Sequence, residues 1–243
     1  MRIYTLSGID STKYMNRFLQ RIGEAPVVFN EDQTERSRKD ILNGLMVQGY
    51  LASDVKVDKI IKKKKLKAVY HLYPGKSYQV KSLRCDIEDA VIRGILQKDS
   101  AESLLHAGMI FNSNTLDGER SRINTKLQDM GYYQFNKEYI TFIADTVKGT
   151  YQVDLTMRIK NPARSSHHAV FKLGNINLVS SQASSRNLSL IPKDSVSYNG
   201  LNIFYDQNLY FRPSILSDNV KLESGDLYSL SKVQQTYDNF NRM

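Results

Sequence analysis

The sequence predicts an α+β fold of tandem modules with the order β-α-α-β-β, each a three-stranded mixed sheet with two helices on one face. Three observations predict it. The stretch from Phe29 to Tyr50 returns without a gap between Phe111 and Tyr132, and its first half returns once more from Tyr228. Both complete copies read as a capped helix stopped by glycine. Each is then followed by two extended runs suited to pair as strands.

At an offset of 82 residues, Phe29, Ile41, Leu45, Gly49 and Tyr50 fall on Phe111, Ile123, Leu127, Gly131 and Tyr132. At an offset of 117, Phe111, Leu116 and Ile123 fall on Tyr228, Val233 and Phe240. A period this long leaves each unit room for its own small core, unlike the turns of a solenoid. The repeat divides the 243 residues into modules at 1–75, 76–163 and 164–243. The first is expected to start partway along its opening strand and the third to stop inside a helix, as a piece of a longer protein would.

In the first module Ile3 to Leu6 reads as a strand remnant and Ser11 to Ile22 as a helix. The repeated helix follows. Asn30, Asn112 and Ser229 stand where an N-cap oxygen would satisfy the first helical N–H groups, each with an aromatic residue just before it. Leu116 and Val233 are spaced to meet Phe111 and Tyr228 as hydrophobic staples. Apolar residues recur at helical spacing through Ile41 and Leu45, and through Ile123, Leu127 and Met130. Gly49 and Gly131 then stop the helix in a left-handed conformation, and Tyr50 and Tyr132 open the extended chain. On this basis the Gly-Tyr pairs are structural.

Strands are predicted at 52–60 with 66–73 across the lysine run, and at 135–145 with 150–160 across Val147, Lys148 and Gly149. In the last, Tyr151, Val153, Leu155, Met157 and Ile159 alternate with Gln152, Asp154, Thr156 and Arg158, so one face is packed and the other wet. Before the second repeated helix come a strand at about Tyr78 to Asp86 and a helix at about Glu88 to Ala107. Pro74-Gly75 and Asn161-Pro162 close the first two units. In the third, Phe171, Leu173, Ile176 and Leu178 open a strand, 180–195 is a polar loop, and Asn199-Gly200 signals a two-residue hairpin, read with its surroundings at 180–211 as an insertion.

Composition bounds the rest. The chain is 41% hydrophobic and 24% charged, ordinary globular material. No run approaches the roughly 20 apolar residues of a spanning helix, and the N-terminus lacks a charged-then-apolar leader. The single cysteine, Cys85, allows no internal disulfide. It is read as a small core residue.

The net charge is +9, and six of the nine excess charges lie within residues 1–75, led by Lys62, Lys63, Lys64 and Lys65. At a hairpin tip these lysines read most simply as a solvated turn. A lipid-facing tip gains on the order of 1 kcal/mol per lysine from anionic head groups. Nucleic acid is a poorer match, because no basic and aromatic residues interleave along a sheet face.

No motif carries catalytic chemistry. His71, His106, His167 and His168 lack HExxH spacing, and no metal or other cofactor is expected. Gly75-Lys76-Ser77 resembles the end of a phosphate loop, but residue 70 is Tyr where that loop needs glycine. There is no Gly-x-Ser-x-Gly elbow and no glycine-rich dinucleotide fingerprint.

The β-α-α-β-β order with this repeat resembles POTRA domains, the polypeptide-transport-associated modules of outer-membrane assembly factors. The residues that carry the resemblance are Arg38, Ile41, Leu45, Gly49 and Tyr50, matched by Glu119, Arg120, Ile123, Leu127, Gly131 and Tyr132. To these is added the spacing of Gly108, Phe111 and Leu116, repeated as Gly225, Tyr228 and Val233. The opening from Gly8 to Arg38 resembles more narrowly the BamA/TamA-like family of Bacteroidetes, often called TamL. The 180–211 segment departs from the minimal pattern, and the C-terminal membrane barrel of such proteins is absent.

The resemblance implies a non-enzymatic periplasmic arm held at the outer membrane by that barrel, with unfolded outer-membrane β-barrel proteins and accessory assembly proteins as partners and no nucleic acid. It also implies that the third strand of each module is central and the second lies at an edge. Val55, Lys56, Val57, Tyr139, Thr141 and Phe142 are the edge residues expected to receive a client strand. A POTRA-like module of two-partner secretion or cell division is the alternative within the same resemblance.

Overall fold

A computed structural model describes residues 14–22, 29–62, 65–147, 149–180, 194–205 and 208–243, with the side chains of 19–22 left aside. The expected opening strand at Ile3–Leu6, most of the polar loop, Lys63, Lys64 and Lys148 lie outside the described residues. The chain divides into two compact units, Met1–Lys76 and Ser77–Met243.

In the first unit, α1 (Tyr14–Ile22) and α2 (Glu31–Val47) precede an antiparallel hairpin of β1 (Asp54–Lys62) and β2 (Lys65–Tyr73). The side chain of Asn30 accepts the Gln33 N–H and so starts α2. Gly49, at φ 92°, ends it. There the Tyr50 N–H reaches the Leu45 carbonyl at 3.0 Å and the Gly49 N–H that of Met46 at 3.0 Å. This crossed pair satisfies the last carbonyls of the helix.

The second unit begins with β3 (Gln79–Ile87), α3 (Ala90–Lys98), α4 (Ser113–Asp129), β4 (Ile140–Val147) and β5 (Gln152–Ile159). The sheet order is β3-β5-β4, with β5 central, parallel to β3 and antiparallel to β4. Val153, Leu155, Met157 and Ile159 of β5 are buried, as their alternation predicts. Tyr151 is not part of that row. It precedes the strand, is 45% exposed and packs edge-on against Tyr78. Above the sheet, Ile87, Ile92, Leu96, Ile123, Leu127, Tyr132, Phe135 and Ile140 close one core. The end of α4 repeats that of α2: Tyr132 N–H to Leu127 O at 3.1 Å, Gly131 N–H to Gln128 O at 3.3 Å, and Gly131 at φ 97°.

Three further expectations fail in this part. The helix expected over 88–107 ends at Lys98, and after a 3-10 turn at Ser100–Glu102 the chain is irregular. The Leu104 N–H and the Ser103 hydroxyl turn to the buried Glu119 carboxylate instead of to a helical ladder. The strand expected from 135 begins only at Ile140, because the Asn136 side chain takes the Glu138 N–H and winds Lys137–Tyr139 into a 3-10 turn. Cys85 is exposed, although a register shift between Val80 and Ser82 brings it opposite the buried Met157. It lies on β3, an outer strand of its sheet, where no neighbouring strand covers the core-side margin.

The rest of the second unit contains β6 (Ile176–Ser180), β7 (Asp194–Tyr198), β8 (Leu201–Tyr205), α5 (Pro213–Asn219) and α6 (Leu230–Asn241). The order is β6-β8-β7, with β8 central, parallel to β6 and antiparallel to β7. The hairpin read as an insertion therefore supplies two of three strands. Its turn is formed by Asn199 at φ 48° and Gly200 at φ 76°, the mirror-image turn that fits the twist of the strands. Leu201 and Ile203 face Leu216 of α5, with Phe240 of α6 packed alongside. The same 1-3-2 layout thus occurs twice with different chain order. In the first sheet the helices separate the parallel strands; in the second the hairpin comes before the helices.

Candidate functional site: sheet edges and the module junction

The repeat places the same lock in front of each helix. The Gly108 N–H donates to Val80 O at 2.7 Å and the Phe111 N–H to Tyr78 O at 2.9 Å. In the next repeat the Gly225 N–H donates to Leu173 O at 2.8 Å and the Tyr228 N–H to Phe171 O at 3.0 Å. The first loop is thereby pinned to the start of β3 and the second to the 171–173 segment ahead of β6, and each helix leaves from a fixed point.

In both sheets of the second unit the second strand lies on the outside. Among the described residues β4 pairs only with β5, and β1 of the first unit only with β2. The outer side of Ile140–Val147 therefore carries main-chain groups without a strand partner. Past Phe142 it is open, with Ile143, Ala144, Asp145 and Thr146 all exposed.

The expected edge residues divide on this geometry. Thr141 and Phe142 lie on β4, and Val55, Lys56 and Val57 on β1. Tyr139 does not: its ring packs against Phe135 at 5.6 Å and His168 at 4.7 Å, because the 3-10 turn draws it inward. Val55 is 1% exposed, its N–H donates to the Asp54 side chain at 2.8 Å and its carbonyl accepts from Arg38, so it is not free for a partner. Lys56 extends over the Tyr73 ring. Of the lysine run, Lys62 and Lys65 face each other as the last pair of the β1–β2 ladder.

Each edge is flanked by an acid–arginine pair that sequence reading left unremarked. Arg38 binds Glu35 at 2.7 Å, and Arg120 binds Asp117 at 3.0 Å, the same i,i+3 arrangement 82 residues apart. Both arginines reach the edge strand. Arg38 donates to the Val55 carbonyl at 3.4 Å, and the Arg120 guanidinium lies 5.4 Å from the Phe142 ring centre. The hydrogen bond from Arg38 holds the Glu35 carboxyl below its ordinary value, and the Arg38 guanidinium is raised in turn.

The signature pair Gly131 and Tyr132 does more than end a helix. The Gly131 carbonyl accepts the Phe171 N–H at 2.8 Å. A Cβ at Gly131 would stand 2.7 Å from Val170 Cγ1 and 3.2 Å from the Phe171 carbonyl oxygen. The next residue, Tyr133, meets the rings of Tyr228 at 4.8 Å and Phe171 at 5.9 Å, both edge-on. Asp129 meanwhile accepts from Ser229 and Ser231 at the start of α6. The end of one repeated helix is thus the socket of the next repeat. No periodicity exposes such a socket, and sequence reading passed over Tyr133.

No protein-family model and no curated protein matches this chain. Among solved structures, POTRA3-5 of BamA from Haemophilus influenzae aligns with 90% of this chain and 72% of its own, at a TM-score of 0.49 and 16% identity. POTRA1-3 of the periplasmic domain of Omp85 from Anabaena covers 90% of this chain and 74% of its own, at 0.32 and 13% identity. The N-terminal domain of Omp85 from the thermophilic cyanobacterium Thermosynechococcus elongatus covers 90% and 75%, at 0.27 and 11% identity.

Proposed function

We propose that this chain is a periplasmic arm of POTRA-like modules belonging to an outer-membrane β-barrel assembly protein, which takes up extended, unfolded clients or accessory proteins by strand addition. The observation that carries the reading is the unpartnered outer side of Ile140–Val147, beside a central strand already paired on both flanks. A client that adds there gains main-chain hydrogen bonds without any demand on its side chains. The β1 edge offers the same chemistry from Lys56 and Val57 onward, since the backbone of Val55 is already engaged by Asp54 and Arg38. The arm needs no catalytic residue and no cofactor for this work.

The magnitude suits transfer rather than storage. An antiparallel strand directs both the N–H and the C=O of every second residue outward, so eight residues offer about eight bonds of about 1 kcal/mol each. Ordering the client backbone costs about 1–2 kcal/mol per residue, which offsets most of that sum and leaves a weak and reversible grip. The Gly8–Arg38 opening supports the narrower TamL-like assignment within this reading.

Hydrogen exchange on this chain with a strand peptide from a barrel protein tests it. Protection is expected in 54–62 or 140–147, equally with a scrambled peptide of the same composition, and lost with a peptide bearing proline at alternate positions. Unchanged exchange in both segments would end the proposal.

A further inference from the structure

The β1–β2 hairpin ends in a tip that strand addition does not use. Ile60 and Ile61 are 53% and 73% exposed. In the ladder Ile61 faces Leu66, Ile60 faces Lys67 and Lys62 faces Lys65. Opposed residues of an antiparallel pair share a face, and faces alternate along each strand. Ile61 and Leu66 therefore continue the side on which Val55 is buried, whereas Ile60 shares the other with Lys62, Lys65 and Lys67.

The cover on the core side stops short of the tip. At the start of α2, Phe29 and Glu31 hold Lys59 through a ring contact at 5.7 Å and an ion pair. Beyond Lys59, Ile60 and Ile61 are left exposed by the described residues. The acids nearest the tip are engaged: Glu31 with Lys59, and Asp58 with His71 at 2.9 Å. Among the described residues no carboxylate pairs with Lys62, Lys65 or Lys67. The tip is thus apolar at its centre and uncompensated in charge around it.

A solvated turn accounts for the lysines but not for two bare isoleucines among them. Lysines that only guard an edge against aggregation would sit beside polar residues, or replace the isoleucines. Isoleucine flanked by cations matches one environment closely, the interface of an anionic bilayer, where the apolar side chains enter the acyl boundary and the ammonium groups meet phosphates. We infer that the β1–β2 hairpin tip, centred on Ile60 and Ile61 with Lys62, Lys65 and Lys67, docks on an anionic phospholipid surface. This goes beyond client binding, and its test leaves the sheet edges untouched.

The test is sedimentation of the chain with phosphatidylglycerol–phosphatidylcholine vesicles against phosphatidylcholine alone. Binding is expected only with the anionic lipid. The triple variant Lys62→Gln, Lys65→Gln, Lys67→Gln should weaken it about fivefold per lysine, about a hundredfold in all. The variant Ile60→Ser, Ile61→Ser should weaken it about tenfold or more with all charges kept.

Because the chain has no tryptophan, Ile61→Trp supplies a single reporter. Its emission should shift to the blue on anionic vesicles and stay unshifted with heparin, which offers charge without an apolar phase. Each variant changes exposed residues, and an unchanged circular dichroism spectrum checks its fold. Equal binding to neutral vesicles, the isoleucine variant binding like the parent, an equal shift with heparin, or duplex DNA retaining the chain better than vesicles would each overturn the inference. So would lysine variants that self-associate while the parent binds no vesicle.

Discussion

Asp129 holds Ser231 twice, accepting its N–H at 2.8 Å and its hydroxyl at 2.6 Å, across 102 residues of chain. Ser229, the N-cap of α6, adds its hydroxyl at 2.8 Å. A carboxylate in the last turn of its own helix is poorly placed, because the helix dipole is negative there. At the first turn of another helix the same charge is well placed. The acid that α4 tolerates is the one α6 needs.

Asp129→Ala should cost about 2 kcal/mol, since it strips a capping acceptor from several donors at once, and Asp129→Asn less, measured by urea unfolding. Burial pushes the carboxyl up, but the bonds from Ser231 and Ser229 outweigh it and hold the folded group below 3.8. A depressed folded value gives stability that is complete above the unfolded value and lost as pH falls through the folded one. The difference between parent and Asp129→Asn should therefore be constant near neutrality and shrink below pH 3.8. A difference that grows in acid would contradict the geometry.

Gly131→Ala should be costly for two separable reasons. Its φ of 97° strains any side chain, and its Cβ would meet Val170 Cγ1 at 2.7 Å. Gly108, at φ 86° with nothing near its Cβ position, carries only the first cost, about 1 kcal/mol. Gly131→Ala should exceed Gly108→Ala by about 1–3 kcal/mol, the usual range for overpacking. Adding Val170→Ala to Gly131→Ala should recover part of that excess. Equal costs at the two glycines would mean that the junction yields freely.

What was legible in the sequence is what short-range chemistry decides. Asn30, Asn112 and Ser229 cap their helices because a side chain and an N–H two or three residues on suffice. Gly49 and Gly131 stop them because only a left-handed residue closes the crossed bonds. The alternation of Val153 to Ile159 gave the buried face of β5.

The misses all involve a partner far away in sequence or a single local defect. The stop at Lys98 depends on Glu119, the exposure of Cys85 on the place of β3 at the outside of its sheet, and the fate of Tyr139 on Asn136. The third repeat misled because strand order is a property of pairing, and the Asn199-Gly200 signal fixes a turn without saying which sheet it joins. The Asp129–Ser231 clasp had no motif at all. Likewise Arg38 and Arg120 were visible as repeated letters, but not as groups that touch an edge strand.

Cys85 gives a sharp check on the open margin of β3. As an exposed thiol it should react with a maleimide in the folded protein, with a single-site endpoint. Partial burial first, and the nearby Glu119 charge second, push its pKa above 9.0. The thiolate is the nucleophile, so the rate should keep climbing past pH 9.0 instead of levelling there. Reaction only after denaturation would place Cys85 in the core and refute the open margin of β3.

Glu119 offers the largest single effect. It is 2% exposed and receives Arg122 through two bonds, at 2.8 and 2.9 Å, with the Ser103 hydroxyl at 2.9 Å and the Leu104 N–H at 3.0 Å. Arg122 and Lys126 also bind the buried Asp99. Burial pushes both carboxyls up, yet the bonds to Arg122, Leu104 and Ser103 on Glu119, and to Lys126 and Arg122 on Asp99, leave them below 4.5 and 3.8. Their stabilisation is thus present at neutral pH and lost as pH falls through the depressed folded values.

Glu119→Ala, which strands the Leu104 N–H and half of the Arg122 guanidinium, should cost about 3–5 kcal/mol. Glu119→Leu combined with Arg122→Met should cost clearly less than the sum of the two single changes, because no uncompensated charge remains beside Glu119. Helix α4 and the 103–105 segment should exchange amide protons independently in Glu119→Ala, with 103–105 the faster, since the carboxylate is what ties one to the other. A loss under 1 kcal/mol, or additive single changes, would show that the network is not what ends α3 and fixes this segment.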